Sequence, residues 1–309
     1  MTVYDCCMFF NENDIYEIKL NQHWNFVDKF IVVEAGETHT GLKKTFNFDK
    51  KRFEKYSDKL VYKTFDSFNA EIPKNLDLLD SYTVHQRQRA GQVTDDWIRD
   101  NFQANYLVKI LKHEGAKDND IVLMGCLDEI INESAFYRGL ERFKDKDATY
   151  DVLCADYPMP PWVVQSKKQS RPVFGFMLDF YVYKFNLYHA TKPASMMTEF
   201  STLKTSLPAT LRGMGIHTHQ HIENGGWHFT FADNTDGEKI LSKQRSWAHS
   251  KDVASGQKIK FDHTTTQEAL ERLFYDYPFK KVEITEETHP KYLIDNLEKY
   301  KDYLYKKNT

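Results

Sequence analysis

The first third of the chain alternates between two hydrophobic periods. Tyr16, Leu20 and Trp24 share one helical face, and Asp14 with Glu17 three residues later predicts a capping pair at the start of that helix. Phe30–Val33 then reads as a short buried strand ending at the polar stretch Glu34–Gly41, and Leu60–Phe65 reads as a second strand. Thr94 predicts the cap of a further helix, with Asp95 and Asp96 near its positive end. Its apolar stripe runs through Ile98, Phe102, Tyr106 and Ile110, with Leu107 and Leu111 beside it. Asp120–Met124 predicts a buried strand leading into Gly125–Ile130, and Ser134 begins another helix. This alternation predicts an α/β fold with a mainly parallel central sheet flanked by helices.

Beyond residue 150 the pattern becomes more strand-like, at Val173–Phe185, Gly215–Ile222 and Trp227–Phe231. Helical periodicity returns at Gln267–Phe274 and again from Pro290, which suits a first helical position. Leu293, Leu297, Tyr300 and Leu304 form the stripe of that last helix. No repeat, low-complexity tract or Ser/Gly linker interrupts the chain. Residues 1–309 are therefore predicted as one domain, with C-terminal helices over about 267–306 packed back on it.

Composition narrows the function classes. With 41% hydrophobic and 15% aromatic residues the chain is too apolar to be disordered. A balance of 42 basic and 45 acidic side chains gives −3 and no global field for a polyanion, although a local basic groove stays open. Cys6, Cys7, Cys126 and Cys154 make no C-x-x-C pair and favour a reducing compartment. The first residues carry no basic region of a signal peptide, and no apolar run approaches 18 residues. The expectation is a soluble, cytoplasmic protein without a membrane segment.

Three segments can carry chemistry. Leu123–Ile130 brings Asp128 and Glu129 to the end of a buried strand, where such a pair can hold a divalent cation or accept a proton; a helix-capping Asp beside a solvated Glu is equally consistent with it. His217, His219 and His221 share one face of a strand, a spacing that suits zinc or simply an exposed polar face. Asn224–Phe231 sends a glycine turn into a strand with His228 and Thr230 on one side and Phe229 and Phe231 on the other. Glu34 at a strand end and His249 in a polar segment are weaker candidates. No dinucleotide fingerprint, Walker loop or nucleophile elbow is present.

In order, these segments resemble glycosyltransferase family 17. The resemblance runs through Tyr4–Cys6, Phe9–Glu12, Val27–Ala35 with Thr38–Gly41 and Lys44, Asp120–Ile130, Asn224–Phe231, Lys243–His249 and Pro290–Tyr300. It implies a GT-A-like (Rossmann-like) glycosyltransferase that moves a sugar from a nucleotide-sugar donor, expected to be a UDP-sugar, to a glycan or other hydroxyl acceptor. It also implies inversion at the anomeric carbon and a divalent cation, manganese or magnesium. On this resemblance Asp128 and His249 are expected to hold the metal, and Glu129 or His228 to act as base. Glu34, Lys44, Gly226 and Trp227 are expected to contact the donor. Two positions depart from the family pattern: Cys126 stands where the first aspartate of Asp-x-Asp falls, and Gln103-Ala104 where an arginine usually follows glutamine. The alternatives are a catalytically degenerate sugar- or nucleotide-binding protein on the same fold, and a histidine-metal hydrolase built on His217, His219 and His221.

Overall fold

The structure, a computed structural model, describes residues 1–79, 95–144, 173–215, 221–248 and 279–306. The first four strands are β1 (Val3–Phe9), β2 (Lys29–Ala35), β3 (Leu60–Phe65) and β4 (Ile121–Met124). They pair in parallel in the order β3-β2-β1-β4. Alternate residues of each strand serve opposite faces, as the strand period demands. Val3, Cys7, Phe9, Phe30, Val32, Ile121 and Leu123 join one buried cluster. Tyr4, Cys6, Ile31, Val33, Val122 and Met124 join the other. Helix α1 (Asn13–His23) covers the first face through Ile15, Tyr16, Ile18 and Leu20. Helix α2 (Asp95–His113) covers the second through Phe102, Leu107, Val108 and Leu111. Ile98 and Tyr106 of the expected stripe lie at its half-buried margin.

The sheet is mixed, not mainly parallel. β5 (Glu129–Ile131), β6 (Val173–Val182), β7 (Leu187–Glu199), β8 (His221–Thr230) and β9 (Lys280–Lys281) extend it. The pairs β4–β7, β5–β8, β6–β7 and β7–β9 are antiparallel, and β6–β8 is parallel. The cause is the link between β6 and β7, the four residues Tyr183–Asn186, too short for any crossover. Tyr183 turns with φ +64°. The expected glycine turn lies inside β8 as an irregularity, with Asn224 at φ +48° and Gly226 at φ +139°. A side chain at Gly226 would strike the Ile130 carbonyl oxygen at 2.0 Å, so its glycine lets β5 and β8 approach.

Other local expectations shift. Helix α1 has no side-chain cap; Asp14 and Glu17 instead bind Arg52. The last segment is a short helix, Lys291–Asp295, followed by a 3-10 stretch, Leu297–Tyr303, with Pro290 as its N-cap. Lys299 reaches Glu17 at 2.7 Å and Tyr303 donates to Asp14 at 2.6 Å, which fastens this segment to α1. Thr94, His217, His219, His249 and Gln267–Phe274 lie outside the described residues. No helix among the described residues is long and apolar enough to cross a membrane.

Candidate functional site

A cavity of about 420 Å³ opens where β1, β2 and β4 end, lined by Met8–Phe10, Ala35 and Cys126–Asp128 among others. In this sheet the chain steps from β1 to β2 on one side while β4 joins β1 on the other. That reversal leaves a crevice at the carboxyl ends of the strands, the usual ligand position in open α/β sheets. Trp97 from α2 and Trp247 add aromatic wall. Arg212 enters from helix α4 (Pro208–Gly215), and Lys243 from helix α5 (Glu238–Ser246), numbering Glu133–Lys144 as α3.

The floor of the cavity is the loop between β4 and β5, braced from below by Glu129. This buried carboxylate accepts from the Cys126 N–H at 3.0 Å, the Ser195 N–H at 2.9 Å and the Ser195 hydroxyl at 2.7 Å. Its other oxygen meets Arg212 at 3.3 Å. Burial alone would raise Glu129, but Arg212, then His228 and Ser195, hold it below the usual carboxylate range. Gly125 is required by the same bracing, because a Cβ there would sit 2.5 Å from the Glu129 carboxylate and 2.0 Å from Ser195 Oγ.

A second buried network fastens the loop to α1. Lys19 Nζ donates to the Cys126 carbonyl at 3.3 Å and lies 3.4 Å from Asp5. Burial pulls Lys19 down, yet Asp5 beside it carries it above its ordinary value. His23 accepts the Ile131 N–H on Nε2 at 2.8 Å, which leaves Nδ1 to donate to Asp5 at 2.7 Å. Burial lowers His23, consistent with a neutral ring of that tautomer.

At the cavity wall, Asp128 is met by Lys243 at 2.8 Å and by His228 at 3.2 Å. Burial opposes its ionisation, but Lys243, and after it His228, hold Asp128 well below the usual range. Lys243 also lies 3.4 Å from Glu12. Cys126 Sγ accepts from Arg212 at 3.0 Å, and burial pushes its thiol up, so the sulfur is uncharged.

Of the residues expected to act here, Asp128 and Lys44 line the cavity. Glu34 lies behind its wall, fully buried, holding Lys44, the Asn47 N–H at 2.7 Å, the Phe48 N–H at 3.2 Å and the Tyr62 hydroxyl at 2.8 Å. Gly226 and Trp227 belong to the β5–β8 contact and the core rather than to the lining. His228 turns Nε2 to Asp128 while its buried Nδ1 has no partner among the described residues. Neither His228 nor Glu129 is among the lining residues.

Among the described residues, which do not include the expected ligand His249, the donors do not fit the divalent cation implied by the resemblance. Among the described residues no three His, Cys, Asp or Glu side chains come together as ligands. Asp128 is engaged by an ammonium and an imidazole, and the neighbouring position offers a neutral thiol where manganese or magnesium prefers oxygen. Arg212 and the pairing of Lys243 with Asp128 were not legible in the sequence. Lys243 falls in a segment of the resemblance, whereas no motif surrounds Arg212, and only the packing of α4 against α2 and β7 brings it to the end of β4.

No curated protein sequence matches the chain. The model of glycosyltransferase family 17 matches residues 1–138, which contain β1–β5 and the cavity floor, and this match supports membership of that family and a glycosyltransferase role.

Proposed function

We propose that the protein transfers a sugar from a nucleoside diphosphate sugar of the UDP type to a hydroxyl acceptor, with inversion, on a GT-A-like fold. The observation that carries this reading is the cavity at the reversal of strand order, which joins aromatic walls to Lys44, Arg212 and Lys243. Aromatic faces suit a nucleobase and the three cations suit a diphosphate. In a single in-line displacement the acceptor oxygen forms its bond to the anomeric carbon as the bond to the β-phosphate oxygen breaks. The electron pair leaves with the nucleoside diphosphate, and the acceptor proton passes to a base.

Glu129 and His228, the bases expected from sequence, serve other partners. The base is instead one of the cavity carboxylates Glu12, Glu37 and Asp100. Glu12 accepts from the Asn11 N–H at 3.0 Å, Glu37 from the Phe68 N–H at 3.0 Å, and Asp100 lies 3.3 Å from His39. Changing each to its amide separates them: the base costs about 100-fold or more in kcat, and the other two leave kcat nearly intact.

The test is release of nucleoside diphosphate from a panel of donor sugars, with glycan, lipid-linked sugar, protein and modified nucleic-acid acceptors. Acceptor-dependent release with a glycosylated product supports transfer. Binding without transfer or hydrolysis replaces it with a non-catalytic binding protein, for which Cys126 and Ala104 would be the reason.

A further inference from the structure

We propose that Lys243 and Arg212 do the work of a divalent cation in this site, holding the donor diphosphate and neutralising it as it leaves. The inference rests on the transferase reading above and concerns which charges serve it.

Two positions that an oxygen-ligated metal would need have been rebuilt around side-chain cations. At the first, Cys126 presents a sulfur in place of a carboxylate, and Arg212 lies on it at 3.0 Å while anchored to the buried Glu129 at 3.3 Å. At the second, Lys243 places its ammonium between Asp128 at 2.8 Å and Glu12 at 3.4 Å, the place a cation between two carboxylates would take. Both side chains line the cavity beside the loop where β4 ends. The ammonium cannot share Asp128 with a dication without like-charge repulsion at contact distance.

Each cation is held in place by neighbouring side chains, Arg212 by Cys126 and Glu129 and Lys243 by Asp128 and Glu12. Only Nη2 of Arg212 is engaged among the described residues, by Cys126 and Glu129. The remaining N–H groups of the guanidinium provide a planar fork suited to two phosphate oxygens. Lys243 supplies a compact point charge with three donors, one of them given to Asp128 at 2.8 Å, while its ammonium lies 3.4 Å from Glu12. When the anomeric C–O bond breaks, its electron pair resides on the β-phosphate oxygen. These two fixed charges meet it, and no proton or metal is needed to stabilise it.

The experiment titrates the intact protein by calorimetry with uridine, guanosine, cytidine and adenosine diphosphates, once in EDTA and once in Mn²⁺. The expected result is tight binding of one of them, with Kd in EDTA within about threefold of its value in Mn²⁺. In EDTA, Lys243→Ala and Arg212→Ala should each weaken that binding about 10-fold or more. Lys243→Arg should restore most of it, and unchanged thermal melting of the variants separates lost charge from lost fold. Tightening by more than 10-fold with Mn²⁺, or wild-type affinity of Lys243→Ala in EDTA, overturns the inference and leaves transferase chemistry standing. Failure of all four diphosphates to bind in both conditions overturns the inference and the transferase reading together.

Discussion

The strands before residue 125 and those after residue 172 share one sheet but solve different problems. The earlier group is parallel, joined by helices, and ends together at one edge, so its strand ends gather Phe9, Ala35 and Cys126 around a cavity. The later group is built on a tight β6–β7 hairpin and contributes mainly aromatic core, with Phe185 stacked on Tyr303 at 4.5 Å and beside Phe229 at 4.7 Å. Yet the later group is not passive: Ser195 on β7 braces Glu129, and Arg212 and Lys243 reach the cavity from helices that follow. The parallel half makes the hole, and the second half puts charge into it.

That division can be broken at four points. Glu129→Ala should have the largest effect, because it strands the Arg212 guanidinium and three donors at once. About 3–5 kcal/mol of stability should be lost in urea unfolding, with turnover of the folded fraction down about 100-fold as the loop shifts. Phe185→Ala should cost a similar 3–5 kcal/mol by opening a cavity in the aromatic core. Its turnover per folded molecule should stay within about twofold, and a larger loss would show that the two halves are coupled.

Acid should act on the second half through His289. This ring is buried against Tyr181, its Nε2 bonded to the Phe185 carbonyl at 2.8 Å, and burial pulls it from 6.5 down to about 4. Between pH 6.5 and 4 the unfolded chain binds a proton that the folded chain refuses, so stability falls as pH falls through that window. The loss reaches about 3 kcal/mol, and His289→Asn should flatten it in urea midpoints measured from pH 7 to 4.5. Smallest is Lys299→Ala, which should cost about 1 kcal/mol or less by thermal melting, since the lysine is nearly half exposed. Its partner Glu17 is lowered to about 2: burial opposes that shift, but Lys299 and Arg52 outweigh it. The pair's contribution is therefore present above pH 4.5 and fades as pH falls towards 2.

What could be read without coordinates follows the same line. Continuous apolar runs such as Phe30–Val33 and Ile121–Met124 announce buried strands, and the strands and cavity loop of the first half were legible in outline. The direction of pairing after residue 172 was not, because an apolar run looks alike in parallel and antiparallel sheets and only the short Tyr183–Asn186 link decides. That Asp128 would lie at the strand-end crevice was legible because it follows a buried strand. Glu129 was visible but its duty was not, since its partners Ser195 and Arg212 lie 66 and 83 residues away. The surroundings of Glu34 were hidden for the same reason: a carboxylate at a strand end signals a crevice, and nothing local tells that Tyr62 and the Asn47 and Phe48 backbone donate to it.

Lys19 and Glu17 stand two residues apart on α1, one tied to the Cys126 carbonyl and the other to Lys299, 282 residues away in sequence. A single helix therefore bears the loop that lines the cavity on one side and the segment around Lys299 on the other. Contacts of such separation form late, because the loop-closure entropy must be overcome before they contribute. The loop that lines the cavity is thus carried by a helix whose other side joins residues far apart in sequence, so its support belongs to the whole fold rather than to the strands around it.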